Sequence, residues 1–236
     1  MRKMRGIAPF TLCVVILCSC QRQPTREIAK LDSPAAPRVV VVGIDETGSY
    51  ALTPLALERA AEFFKQNACP GDLWIFRRIT RDSYSDTATI PVYEGQPFVK
   101  LPKVRPKPGN AFNKKGRLAY LRDLKRFEQI RRQVAEAVSK FQPRQGVVGT
   151  DIWGFLRKAN DLGCSDIVMF TDLGDTRNLR VALNLNGARV WVLGFQSGRD
   201  PRKTVAIRKR WETRLQKAGA SKVTFHDISA PLPSLK

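Results

Sequence analysis

Residues 39–44 read Val-Val-Val-Val-Gly-Ile, an apolar run of β-branched residues broken by one glycine. A half-exposed strand alternates apolar and polar side chains. A run that is apolar on both faces therefore predicts a strand covered on both sides, as at the centre of a parallel sheet. Such a sheet needs helices to cover it. Residues 51–67 supply one, with Leu55, Ala56, Ala60, Phe63 and Phe64 at helical spacing and Pro54 where a first turn tolerates it. Leu73-Trp74-Ile75-Phe76 reads as a second strand. Residues 87–93 read as a third, held to an edge by Pro91. The Pro- and Lys-rich stretch 98–116 reads as a mobile loop, followed by a long helix over 117–141. Thr150 and Asp151 open another helix to about Leu162. Strands follow at 166–171, 190–195 and 223–225, with a basic helix over 201–218 before the last. The alternation predicts an α/β doubly wound sheet, mostly parallel, with one antiparallel edge strand.

The composition fits one domain with a substantial core: 236 residues, 43% of them hydrophobic. Five cysteines in a chain of this length do not make a disulfide scaffold. The single histidine, His226, excludes a His-rich metal centre. It is expected in the last strand, away from the functional end of the sheet and in a structural role. No apolar run reaches the length of an ordinary membrane-spanning helix.

In doubly wound sheets, ligands bind at the carboxyl ends of the strands. There the first strand ends in Asp45-Glu46-Thr47-Gly48-Ser49, the turn before the mid-domain helix carries Gly149-Thr150-Asp151, and the strand at 166–171 ends in Asp172. The expected topology brings Asp45, Thr47, Ser49, Thr150 and Asp172 to one rim. Two carboxylates and three hydroxyls form a hard-oxygen set that suits Mg²⁺ and related cations. Few charges around such an ion leave it electrophilic, open to a carboxylate from outside. Capping and turn formation would account for Asp45 or Asp172 singly, though not for their convergence. Asp175 reads as a turn residue.

These residues resemble the metal-ion-dependent adhesion site of von Willebrand factor A domains. The family pattern is Asp-x-Ser-x-Ser after the first strand, a mid-domain loop Thr, and an Asp after the fourth strand. It is matched by Asp45, Thr47 (a Thr in place of Ser), Ser49, Thr150 in Gly-Thr-Asp-Ile, and Asp172 in Phe-Thr-Asp. The resemblance covers about residues 38–230 and departs from the pattern at Leu173, where the family often has Gly. It implies a Mg²⁺ site (or Mn²⁺ or Ca²⁺) that binds a protein or other macromolecule supplying a carboxylate. In that reading Asp45, Thr47 and Ser49 hold the ion directly. Thr150 and Asp172 hold it directly or through water. Asp-Glu-Thr-Gly-Ser also resembles the phosphorylated loop of P-type ATPases, whose membrane helices are missing from this sequence. Haloacid dehalogenases would need an Asp where Thr47 stands. No Gly-x-Gly-x-x-Gly or Walker A run follows the first strand. No serine has a plausible base partner, so an enzyme is not expected.

The chain begins with a basic stretch (Arg2, Lys3, Arg5) and an apolar one from Ile7 to Leu17. The following Leu17-Cys18-Ser19-Cys20 resembles the bacterial lipobox. That implies a signal peptide over residues 1–19, a lipid on Cys20 and a tether over 20–37 ahead of a domain at 38–230, with a short tail at 231–236. The implied location is the cell envelope, with Gln21 favouring an outer membrane in a diderm host. Removing residues 1–19 takes away three positive charges and no acid, lowering the formal charge from +20 to +17. An exported setting permits a Cys69–Cys164 disulfide, since both cysteines fall at the sheet end opposite the rim. Lys100, Lys103, Arg105, Lys107, Lys114, Lys115 and Arg117 crowd one segment. Arg122, Lys125, Arg126, Arg131 and Arg132 continue it, and the helix at 201–218 is equally basic. These charges suit a solvated face or an anionic partner: phospholipid, wall polymer or, with no recognisable motif, nucleic acid. The second functional reading is thus electrostatic binding, with a structural or vestigial metal site.

Overall fold

The computed structural model describes residues 37–110, 113–176, 182–195 and 201–235. The signal segment, Cys20 and nearly all of the tether lie outside those residues. Six strands form one sheet in the order β3-β2-β1-β4-β5-β6: β1 (Val39–Asp45), β2 (Leu73–Ile79), β3 (Val99–Lys100), β4 (Asp166–Phe170), β5 (Arg189–Leu193) and β6 (Lys222–His226). All neighbours pair in parallel except β2 and β3. The fold is α/β and doubly wound, as the hydrophobic pattern predicts. The strand order reverses between β1 and β4, which creates a crevice at their carboxyl ends.

Strand alternation divides the core in two. Val40, Val42, Ile44, Trp74, Phe76, Val168 and Phe170 face α1 (Thr53–Asn67) and α2 (Lys114–Ser139). Val41, Ile75, Ile79, Ile167, Met169 and Val190 face α3 (Ile152–Asp161) and α4 (Pro201–Lys217). Asn113 caps α2 and Asp151 caps α3, each side chain accepting the backbone N–H of Gly116 or Gly154 at 2.8 Å.

Four expectations are corrected. Residues 87–93 are not a strand: they hold part of a single 3₁₀ turn (Asp86–Ala88) and isolated bridges at Thr89 and Tyr93. The antiparallel edge is instead Val99–Lys100, paired with Trp74 and Leu73, within the segment expected to be a mobile loop. The tail is docked. Leu235 is buried, its N–H bonds to the Asn67 side chain at 2.8 Å, and Arg59 donates to the Ala230 carbonyl.

Cys69 and Cys164 are free thiols, not a disulfide. They follow α1 and α3, which cover opposite faces of the sheet. The Cys69 thiol donates to the Asn67 carbonyl at 3.6 Å. Burial pushes the Cys164 thiol up to about 12, leaving it a protonated, poor nucleophile.

Arg131 donates to the Lys65 carbonyl, near the end of α1. Arg78, toward the carboxyl end of β2, lies 4.8 Å from the Phe141 ring centroid. The amino-terminal half of α2 therefore lies at and beyond the amino end of the sheet, where the chain also enters β1.

Candidate metal centre

Asp45 is the last residue of β1 and is fully buried. The chain turns at once: the Tyr50 N–H bonds to the Thr47 carbonyl at 2.9 Å, and the Thr53 hydroxyl donates to the Asp45 and Tyr50 carbonyls at 2.8 and 3.0 Å. Those bonds fold the 45–50 loop back over its own strand, turning Thr47 toward Asp45. Glu46 leaves in another direction and pairs with Arg78 at 3.2 Å.

The expected donors form a connected set. Asp45 Oδ1 accepts the Thr47 hydroxyl at 2.6 Å and the Thr47 backbone N–H at 3.0 Å. Thr47 Oγ1 lies 3.2 Å from Ser49 Oγ and accepts the Thr150 hydroxyl at 3.2 Å. A hydroxyl has one proton and two lone pairs. Since Thr47 gives its proton to Asp45, Ser49 is the donor in the Ser49–Thr47 contact. The lone pairs of Ser49 and Thr150 are then not needed inside the chain of hydroxyls. Asp172 is half-buried on the same rim. Its Oδ1 accepts the Gly174 N–H at 2.8 Å, and its charge acts on Asp45.

Thr150 is fixed from two sides. The Asp151 N–H bonds to the Thr80 carbonyl at 2.8 Å. The Thr150 N–H donates to the Thr176 hydroxyl at 2.9 Å, and that hydroxyl returns to the Thr150 carbonyl at 3.2 Å. Gly149 precedes it at φ +88°, a backbone shape L side chains rarely adopt, with Thr176 Oγ1 only 3.3 Å from where a Cβ would stand. Leu173 has φ +62°. Glycine would hold that conformation more easily, so the departure from the resembled pattern falls where glycine is conformationally favoured. Leu173 is kept there by burial of its side chain and by the Trp211 indole N–H on its carbonyl at 3.2 Å.

Sequence reasoning missed Thr171 and Thr176. The Thr171 hydroxyl donates to Asp45 Oδ2 at 2.7 Å. Its place follows from the strand register: Ile44 pairs with Phe170, so the next residues along the parallel strands are Asp45 and Thr171. Thr176 carried no local signal, because its contact with Thr150 spans 26 residues. With Thr171 and Thr47 both donating to it, Asp45 has each carboxylate oxygen already engaged. His226 is also relocated. It ends β6 opposite Leu193, so it sits at the rim end of the sheet but on the far edge strand. Its ring stacks on Trp191, and burial together with Arg208 and Lys222 holds its pKa below the usual value.

Burial raises the Asp45 carboxyl from 3.8 to about 6, against the three hydrogen bonds that favour its charge and with a further push from Asp172. The Tyr50 phenol is pushed up as well, by burial and then by the same two carboxylates. Asp45 therefore carries its charge in a dry setting, with Asp172 beside it toward solvent, and a cation between them would relieve that cost. The donor spacing fits one: neighbouring ligands of an octahedral Mg²⁺ lie about 3 Å apart, close to the 3.2 Å hydroxyl separations. The donors are oxygens alone, and among the described residues no group of three or more His, Cys, Asp or Glu side chains converges anywhere.

A pH prediction follows for the cation-free protein. The folded state holds the Asp45 proton more tightly than the unfolded chain does. Stability is therefore lost as pH rises from about 4 to about 6, by about 3 kcal/mol from this group. Urea unfolding across that range should show the loss in the wild type and a shallower profile in Asp45→Asn.

No family model matches the chain, and no curated protein matches it. Among solved structures it resembles proximal thread matrix protein 1 from the mussel byssus, at 9% sequence identity and a TM-score of 0.42, over 82% of this chain and 44% of that one. This chain thus spans less than half the length of that protein.

Proposed function

We propose that the rim binds a divalent cation, Mg²⁺ or Mn²⁺ in preference to softer metals, and uses it to capture a carboxylate on a macromolecular partner. The observation that carries this reading is the connected set Asp45–Thr47–Ser49–Thr150 beside Asp172, at ligand spacing on one end of the sheet. Ser49 and Thr150 offer hydroxyl lone pairs, and Thr47 offers its own once the ion turns the Ser49 and Thr150 protons away from it. Asp45, held by Thr171 and the Thr47 N–H, supplies charge behind them and reaches the ion directly or through water. Asp172 supplies the second charge from the exposed side. Two carboxylates neutralise the ion without saturating it, so a partner's carboxylate remains attractive. Together with the lipobox-like segment ending at Cys20, this describes an envelope lipoprotein of the von Willebrand factor A type that binds rather than catalyses.

The test is water proton relaxation in the presence of Mn²⁺. Binding should produce a large enhancement, because an open ion keeps exchangeable waters. Adding an acidic peptide should lower it. Ser49→Ala and Thr150→Val should each weaken Mn²⁺ binding about tenfold. Undiminished binding in both variants would place the ion elsewhere.

A further inference from the structure

The outward side of α2 has a composition that folding does not explain. Tyr120, Phe127, Ile130, Val134 and Val138 turn inward and are buried. Opposite them, Leu118 is 65% exposed and Leu121 is 49% exposed. Around these leucines Lys114, Lys115, Arg122, Lys125 and Arg126 are all exposed. Asp123 and Glu128 lie at the flanks and are engaged by Arg105 and Arg131. The first acid on the outward side is Glu136, already paired with Lys140. Beside Leu118 a cleft of about 490 Å³ is lined by Arg105, Lys115, Gly116 and Arg122. Its cations and size suit a phosphate headgroup.

We propose that the amino-terminal half of α2 docks on an anionic lipid surface, Leu118 and Leu121 entering the acyl boundary while Arg105, Lys115 and Arg122 engage a lipid phosphate. Leucines ringed by cations on a solvent-facing helix side are the pattern of an interfacial helix. Stacking on single-stranded nucleic acid needs aromatic side chains, and this side of α2 presents leucines. Position points the same way. The chain enters β1 at the end of the sheet where this half of α2 lies. If Cys20 carries the expected lipid, a random coil from there to the start of β1 would span about 20–25 Å, which would hold this face near the membrane. Among the described residues no helix is long and apolar enough to cross a bilayer, so α2 would lie on the surface. The inference is independent of the cation site.

The test is co-sedimentation of residues 37–236, first checked for cooperative urea unfolding, with vesicles of phosphatidylglycerol and phosphatidylcholine or of phosphatidylcholine alone. EDTA is present throughout, so failure here is separate from failure of the cation reading. Binding is expected on the anionic vesicles and should fall about tenfold in Leu118→Ser/Leu121→Ser at unchanged net charge. Lys115→Gln/Arg122→Gln should weaken it by a similar factor and flatten its salt dependence, whereas Arg208→Gln/Arg210→Gln on α4 should change it far less. The proposal is overturned if the leucine variant sediments like the wild type. It is equally overturned if the α4 variant loses as much as the α2 charge variant, or if the protein binds single-stranded DNA or an acidic peptide but not the vesicles.

Discussion

Asp45→Ala is expected to weaken Mn²⁺ binding by at least about a hundredfold, a loss of about 3 kcal/mol. The change removes one of the two carboxylates at the rim. It also removes the acceptor that orients Thr47 and Thr171. Without cation, the variant should remain folded. Deleting a buried carboxylate whose pKa is raised to about 6 relieves a destabilising charge. Leaving the Thr47 N–H and two hydroxyls without their acceptor works the other way, at about 1–3 kcal/mol for each group that stays unpaired, and water in the space left by the carboxylate would re-pair them. Calorimetric titration and urea unfolding on the same preparations separate the two effects. Equal Mn²⁺ affinity in the variant and the wild type would show that Asp45 does not serve an ion.

The largest stability effect is expected at Gly43, two residues before Asp45. A Cβ there would stand 2.6 and 2.7 Å from the Phe155 ring and 2.9 Å from Ile79 Cδ1. Phe155 and Ile79 are themselves fully buried, so neither can swing into solvent. Gly43→Ala should destabilise by about 1–3 kcal/mol, and Gly43→Val by more. The strain would push α3 away from β1. Thr150 lies two residues ahead of α3, so cation affinity should fall as well. Phe155→Leu should restore part of the stability of Gly43→Ala, a coupling that a double-mutant cycle measures. Unfolding of Gly43→Ala at the wild-type urea midpoint would contradict this packing.

Legibility in the sequence followed the range of the determining interactions. β1 was readable because a run apolar on both faces has few alternatives, and its register with β4 then brings Asp45 beside Thr171. Thr47 and Ser49 were readable because residues alternating after a strand end share one loop, and Thr150 because the expected topology returns the chain to that end of the sheet. The antiparallel edge was not. Residues 87–93 have strand-like composition but make only isolated bridges, whereas Val99–Lys100 is too short to show periodicity and exists through its register against Leu73 and Trp74. The cysteine pair was misread because spacing assigns α1 and α3 to the same end of the sheet but not to opposite faces. The closing segment looked like a tail because Leu232 and Leu235 are only two apolar residues, yet they pack on the α1 layer. The Thr176 clamp on Thr150 depends on a loop conformation that residue types alone do not specify.

The most direct measurement of the central claim is an anomalous difference map from crystals grown with Mn²⁺. The account predicts one strong peak at the carboxyl ends of β1 and β4, within about 2.2 Å of the Thr47 and Ser49 hydroxyl oxygens, with Thr150 and Asp172 around it. A peak elsewhere, or none at this rim at saturating Mn²⁺, would contradict it.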